Sequence, residues 1–461
     1  MTRAASLTFL GGNGTVTGSK TLLKVNGRQV LIDCGLYQGL RELRRRNWEP
    51  LPLAADAISA VLLTHAHLDH TGYLPLLVRE GFRGPVYATS STIELCRLVL
   101  RDSAHLQEED ARYATGRGFS KHSQPRPLYD AQEAERALRL LTAVDGTGGV
   151  ALPGIGRASW RRAGHILGSS SVHLGLSGAT SSVLFSGDLG RDGHPLLRPP
   201  APPPPARFVV VESTYGDRRH AGGGRELLAA TIRGTLGRGG SIVIPAFAVD
   251  RTEVVLHALA QLTAQGAIPR VPIYADSPMA LSALDIYREA IARSDPDLLP
   301  GLDLHVLDAG NLREAATPEL SQALNTPQVP CIIVSASGMA TGGRVLHHLK
   351  HLLPDPRHAV VLVGYQAAGT RARELAEGAR QVKIHGRYVP VRAEVVTVDG
   401  FSVHADADEL LAWLRLLPEP PEACFVVHGE HGAASALAER IEDELTWTAV
   451  VPRYGEQVRI G

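Results

Sequence analysis

The stretch Thr64-His65-Ala66-His67-Leu68-Asp69-His70-Thr71-Gly72 places three imidazoles and a carboxylate within six residues. Before it, Ala60-Val61-Leu62-Leu63 reads as a short buried strand, and after it Tyr73 to Arg79 has the apolar spacing of a helix start. The cluster therefore falls on a strand-to-helix turn, where side chains can converge. His65 and His67 lie two apart, on one face of an extended segment, and can share one metal. Asp69 and His70 lie past the bend and can reach a second metal beside the first. Imidazole and carboxylate donors suit zinc, ahead of manganese or iron. A surface His-rich loop is the bland alternative, and four ligand side chains packed behind an apolar strand argue against it.

Further chemistry-bearing residues sit at the ends of other strand-like runs. Asp33 closes Gln29–Asp33, which a turn at Asn26-Gly27 joins to Ser19–Val25. An Asp there is common, but ahead of a metal loop it suits a residue that orients ligands. His165 lies in Ala163-Gly164-His165-Ile166-Leu167-Gly168-Ser169, and Asp188 follows the apolar run Val183-Leu184-Phe185. Glu212 directly follows Val209-Val210-Val211, His404 lies in Ser402-Val403-His404-Ala405-Asp406, and His428 ends Ala423–Val427. Singly, each has an ordinary structural reading. Together, His65, His67, Asp69, His70, His165, Asp188 and His428 are about the number of ligands that two zincs with a shared carboxylate require. In that scheme His65, His67 and His165 take one zinc, Asp69, His70 and His428 the other, and Asp188 bridges. Paired zincs roughly 3.5–4 Å apart lower the pKa of a shared water and clamp an in-line displacement at phosphorus. Asp69 can also accept a hydrogen bond from the bridging hydroxide.

Residues 6–36 read as β-rich. Residues 91–143 read as helical, interrupted by a Gly-, Arg- and Pro-containing loop at 115–127. The proline run at 199–205 is a stiff spacer, and the four arginines between Arg41 and Arg46 read as a solvated face. From about residue 222 strands alternate with helices: 241–247, 251–265, 271–275, 279–292, 331–335, 343–353, 360–365 and 370–378. That alternation implies βαβ units and a parallel sheet. Its turn containing Ser335, Ser337, Gly338, Met339, Thr341 and Gly342 runs from strand to helix, so its backbone N–H groups could hold a phosphate. It is neither a GxGxxG fingerprint nor a P-loop.

The chain has 461 residues, 44% hydrophobic and 20% charged, which allows two or three domains around sizeable cores. Its formal net charge is zero, so any channel for a polyanion must be local. Aromatic content of 5% does not favour an extensive base-stacking platform. Cys34, Cys96, Cys331 and Cys424 form no Cys-x-x-Cys and read as buried free thiols. No signal peptide is read at Met1–Leu10 and no apolar run is long enough to span a membrane, so the expectation is a cytoplasmic protein with no membrane contact.

The His-x-His-x-Asp-His turn, His165, Asp188 and Asp33 resemble the metallo-β-lactamase superfamily. Glu212 in Glu-Ser-Thr-Tyr-Gly-Asp-Arg, His404 in Ser-x-His-Ala-Asp and His428 in Val-His-Gly-Glu resemble the added motifs of its β-CASP branch. That branch includes ribonuclease J and the pre-mRNA 3′-end cleavage endonuclease. The resemblance covers nearly the whole chain. It implies an α/β fold: an αββα sandwich with an inserted Rossmann-like α/β β-CASP domain, substrate entering the cleft between them. The expected parts are 1–221 and 396–461 for the sandwich and 222–395 for the insertion. It further implies two Zn²⁺ per chain and hydrolysis of phosphodiester bonds in single-stranded RNA. Cleavage would be endonucleolytic, with a 5′-to-3′ exonucleolytic mode left open, as is a homodimer. His404 with Glu212 would protonate the leaving group, Asp69 and Asp33 completing the catalytic set. His428 points to RNA, since DNA-repair members carry an apolar residue there. A thioester or lactone hydrolase on the same fold would need neither Glu212 nor His404. A non-catalytic RNA-binding subunit would have lost ligands that this chain keeps.

Overall fold

The computed structural model describes residues 5–117, 125–144, 149–177, 181–220, 222–307 and 310–460. Part of the loop expected at 115–127 lies outside these residues. The chain divides into two compact units. The first comprises residues 1–38, 42–219 and 404–461; the second comprises 39–41 and 220–403.

The first unit holds two seven-stranded sheets. One runs Gln457–Arg459, Ala5–Gly11, Lys20–Val25, Arg28–Ile32, Ile58–Leu62, Val86–Ala88, Leu141–Ala143. The other runs Ala449–Val450, Ala423–Val427, Phe208–Glu212, Ser182–Phe185, Ser170–Leu176, Gly156–Arg162, Val150–Leu152. The period of two along a strand explains how they stack. Leu7, Phe9, Leu23, Val30, Ile32 and Leu62 of one sheet pack against Val172, Leu174, Val183, Phe208, Val210 and Phe425 of the other. Alternate residues Val209 and Val211 point to the opposite face, where helices Ala407–Arg415 and His431–Leu445 bring Leu410, Leu414, Leu437 and Ile441. A strand apolar on both sides is the signature of a covered sheet. Helices Leu74–Arg79, Ser90–Arg117 and Ala131–Leu138 accompany the first sheet. The layers are those of an αββα sandwich.

The second unit is a six-stranded parallel sheet ordered Leu312–Glu314, Ile273–Asp276, Ile332–Ser335, Ile242–Pro245, Ala359–Val363, Glu394–Val398. Helices Arg251–Ala264, Pro278–Ala292, Val345–Leu352 and Arg371–Ala376 fall where strand–helix alternation puts them. The sequence reading returns the chain to the sandwich at residue 396. Glu394–Val398 instead pairs with Ala359–Val363 along its whole length, so the second unit runs on to Val403. The four cysteines are free and buried, and burial pushes the Cys34 and Cys424 thiols up to about 12. Among the described residues no helix is long and apolar enough to cross a membrane.

Candidate metal centre

The site forms at the ends of strands in the first unit. Ile58–Leu62 delivers Thr64 and His65, a four-residue helix Leu68–Thr71 carries Asp69 and His70, and Ala423–Val427 ends at His428. Ser182–Phe185 leads to Asp188 and Phe208–Glu212 ends in Glu212. His165 sits in the loop before Ser170–Leu176, where Ser169 Oγ accepts its backbone N–H at 2.9 Å. Two glycines let these loops close. A Cβ at Gly35 would lie 1.5 Å from the Asp69 carbonyl oxygen, and one at Gly190 1.8 Å from that of Gly164. Asp33 and His428 both adopt left-handed backbone, φ 56° and 52°, a conformation side chains hold only when neighbours over-determine it. For His428 those neighbours are the Gly12 carbonyl, 2.6 Å from its N–H, and the Thr214 hydroxyl, which donates to its carbonyl at 3.2 Å.

All seven expected ligands come together, in two groups. His65, His67, His165 and Asp188 form one; Asp69, His70 and His428 form the other. In the first group His65 Nε2 and His165 Nε2 lie 3.2 and 3.3 Å from His67 Nδ1. In the second, His70 Nε2 lies 3.4 Å from His428 Nε2. Asp188 stands between them, 2% exposed. Its Oδ2 is 3.5 Å from His65 Nε2 and 3.8 Å from His165 Nε2. Its Oδ1 is 3.3 Å from His70 Nε2 and 3.5 Å from His428 Nε2. Asp69 Oδ2 lies 3.9 Å from His428 Nε2. One carboxylate thus offers one oxygen to each group, as a bridging ligand would.

The electrostatics suit a cation. Burial pushes the His65 imidazole well below its ordinary value, and His70 beside it adds to the effect. Burial likewise lowers His67. Both are neutral at pH 7, the form that ligates. Burial alone would raise Asp188, but the imidazoles of His428, His70 and His65 hold it well below the usual carboxylate range. Burial would lower His70 too, but Asp188 and Asp33 hold it well above its ordinary value; imidazoles gathered around a buried carboxylate are a donor set that fits a divalent metal.

Asp33 lies behind this layer. Its Oδ2 accepts from His70 Nδ1 at 2.7 Å, which leaves His70 Nε2 for a metal. Its Oδ1 accepts from the Thr64 backbone N–H at 2.8 Å. Sequence reasoning passed over Thr64, whose hydroxyl is 2.9 Å from Asp33 Oδ2 and 3.0 Å from His65 Nδ1. Its only signal was a hydroxyl residue between the strand and the first imidazole.

Glu212 is 1% exposed, and its Oε1 accepts from the Leu189 N–H at 2.6 Å. Its Oε2 lies 3.5 Å from His404 Nδ1, which is 3.9 Å from Asp188 Oδ2. The His404 ring lies 4.3 Å from that of His165. His404 therefore adjoins the metal groups without belonging to either.

The Gly-rich turn lies in the second unit. Ser335 and Met339 are buried. The Ser335 hydroxyl donates to the Asp276 carbonyl at 2.8 Å, so it holds the turn from within. Asp276 also accepts from Arg344, Ser321 and His348. Ser337 and Gly342 are half-buried and Thr341 is exposed. Among the described residues no acceptor is bonded to the N–H groups of Gly338, Met339, Gly342 and Gly343.

Residues 14–221 match the model of the metallo-β-lactamase superfamily, and 252–375 that of the Beta-Casp domain. Residues 388–452 match a Zn-dependent metallo-hydrolase RNA specificity domain. A ribonuclease of Thermus thermophilus is 40% identical, over 92% of this chain and 93% of its own. Transcription termination factor FttA of Methanosarcina mazei is 31% identical, over 95% of this chain and 69% of its own. An RNase J-like protein of Methanocaldococcus jannaschii is 29% identical, over 97% and 98%. A solved structure from Enterococcus faecalis, of unknown function, covers 99% of this chain and shares the fold at TM-score 0.54 and 13% identity. Family models and full-length relatives agree with the two sheets and the inserted parallel domain: this chain is a metallo-hydrolase of the β-CASP family within the metallo-β-lactamase superfamily.

Proposed function

We propose that this protein is a zinc-dependent ribonuclease that hydrolyses phosphodiester bonds of single-stranded RNA. The observation that carries the reading is Asp188, one oxygen on each of two imidazole groups, with the His404–Glu212 pair beside it. His65, His67 and His165 would hold one zinc and Asp69, His70 and His428 a second, with Asp188 available to both. When bound, a metal pair supplies Lewis acidity and a water of lowered pKa for attack at phosphorus. Asp33 fixes the tautomer of His70. Asp69, half-buried, orients the attacking water. His404, held by Glu212, gives its proton to the leaving 3′ oxygen. The kinship with a ribonuclease and an RNase J-like protein favours RNA as the substrate.

The test is a digestion of end-labelled single-stranded RNA, with and without chelator. RNA products should appear, vanish with chelation and return with zinc, and their sizes separate internal from end-wise cutting. Intact RNA under all conditions, with a thioester or lactone hydrolysed instead, would overturn the reading. Elemental analysis should find two zincs per chain; a plateau at one after zinc reconstitution excludes the paired site.

The Gly-rich turn is proposed to hold an RNA phosphate on its N–H groups. Gly338 is the wrong place to test it, because a Cβ there would lie 2.8 Å from the Phe247 ring and distort the turn for steric reasons. Gly342 has nothing within 4 Å of a built Cβ. Gly342→Val keeps its N–H but puts a branched side chain where the phosphate would sit, and should weaken RNA binding by about tenfold, the scale of displacing a hydrogen bond to a charged group, with metal content intact. RNA affinity equal to wild type would remove the turn from the binding site.

A further inference from the structure

The protein carries no net charge, yet one part of the second unit is strongly basic. Residues 379–393 contain Arg380, Lys383, Arg387, Arg392 and His385 and no acidic side chain. They form the hairpin Gln381–Ile384 with Arg387–Pro390, which pairs with no other strand among the described residues. Its faces are divided by the period of two. Val382, Ile384 and Val389 point inward and join the core of the unit with Leu375 and Leu353. Lys383 and Tyr388, directly opposite each other, share the outer face, the ammonium 5.9 Å from the ring centre. Tyr388 is 66% exposed, the highest value for any large hydrophobic side chain among the described residues.

The nearest acids in sequence do not neutralise this face. Glu377 pairs with Arg373, and Glu394 with Arg238. Among the described residues no carboxylate pairs with Arg380, Lys383, Arg387, Arg392 or Lys350, the last on the adjoining helix Val345–Leu352. His347 of that helix stacks on His385 at 4.7 Å. The hairpin is also tied to the Gly-rich turn. Arg371 donates to the Lys383 carbonyl at 2.6 Å and to those of Ala340 and Thr341 at 3.0 and 3.2 Å. These contacts join the hairpin to the helix and to the turn.

We propose that this hairpin is a docking surface for the backbone of single-stranded RNA, with one base stacked on Tyr388. The proposal rests on the ribonuclease reading above and places RNA contacts outside the metal centre. Unpaired cations repel one another and are solvated at no gain to the fold, so their concentration about one exposed hairpin matches a polyanion. A lone exposed aromatic among them matches a base, since any base has a face to stack. An acidic protein partner would satisfy the cations and leave Tyr388 without a role.

The experiment measures binding of a labelled single-stranded RNA to the full chain, loaded with zinc and inhibited by low temperature, over a range of salt. Arg380→Gln/Lys383→Gln/Arg387→Gln removes three charges. With a slope of about 0.7 per phosphate contact for single strands, the triple variant should lose about two units of salt dependence. At 0.1 M salt it should bind about 100-fold more weakly. Tyr388→Ala should weaken binding about tenfold with the slope unchanged, as expected for loss of stacking. Zinc content and thermal midpoint guard against misfolding. If wild type binds RNA and the triple variant matches it in affinity and slope, the hairpin proposal fails and the ribonuclease reading stands. If the triple variant weakens but Tyr388→Ala does not, the surface is a general polyanion site and the RNA assignment is overturned. If wild type neither binds nor cuts RNA, the underlying reading has failed and this one with it.

Discussion

Asp188→Asn is expected to abolish hydrolysis by removing metal, the largest single-residue effect in the molecule. The carboxylate is buried and its two oxygens divide between the groups, Oδ2 toward His65 and His165, Oδ1 toward His70 and His428. An amide keeps one ligating oxygen, and its NH2 end, facing the other imidazole group, has no lone pair to offer a metal. It also removes the one buried negative charge common to both groups. Zinc content should fall from two per chain to one or none. Zinc should also lose most of its effect on thermal stability. A ligand that binds only the folded state stabilises it by about 2.7 kcal/mol at a hundred times its Kd, so the wild-type midpoint should rise on adding zinc and the variant's should hardly move. An Asp188→Asn chain that keeps two zincs at wild-type affinity would show that Asp188 does not bridge.

Much of this site was legible because its residues sit at strand ends, where the pattern of apolar runs gives position directly. His65 and His67 fall two apart in an extended segment, and the structure puts both in one group; Asp69 and His70, past the bend, fall in the other. The inserted sheet was legible for the same reason, its buried strands standing between helical stretches. What was not legible depends on contacts between distant segments. Asp33 was read as orienting ligands, but nothing in the sequence says that it holds His70 Nδ1 and Thr64 together. The ring of Phe247 beside Gly338 could not be foreseen, because 91 residues separate them and only the parallel pairing of Ile242–Pro245 with Ile332–Ser335 brings them together. The edge strand Glu394–Val398 is half exposed and carries Thr397, so it lacks the continuous apolar run that marks its buried neighbours. The helix Gly224–Gly237 begins on a glycine and is not among the elements read from the sequence.

His404 and His428 look alike in sequence, each at the tip of a segment returning to the sandwich, and the structure gives them different neighbours. His428 Nε2 faces His70 and Asp188. His404 Nδ1 faces Glu212 at 3.5 Å. Attack at phosphorus leaves an alkoxide-like 3′ oxygen, and a metal pair that activates water does not by itself supply the proton this oxygen needs. An imidazole held by a carboxylate does, and positioned acid catalysis contributes about 10²–10⁴-fold. His404→Ala should therefore lose about that factor in kcat while keeping both zincs and RNA affinity, whereas His428→Ala should loosen one zinc. Glu212→Gln should approach the loss of His404→Ala. Glutamine is the right substitution because its carbonyl can still accept the Leu189 N–H that steadies the residue next to Asp188. The double variant should be little worse than either single one, as for groups that act as a unit. An RNA with sulfur in place of the bridging 3′ oxygen provides the sharpest comparison. Its leaving thiolate needs no proton, so the substrate should restore His404→Ala to near the wild-type rate and leave His428→Ala impaired. Loss of zinc from His404→Ala, or failure of the sulfur substrate to rescue it, would move His404 out of the proton-donor role.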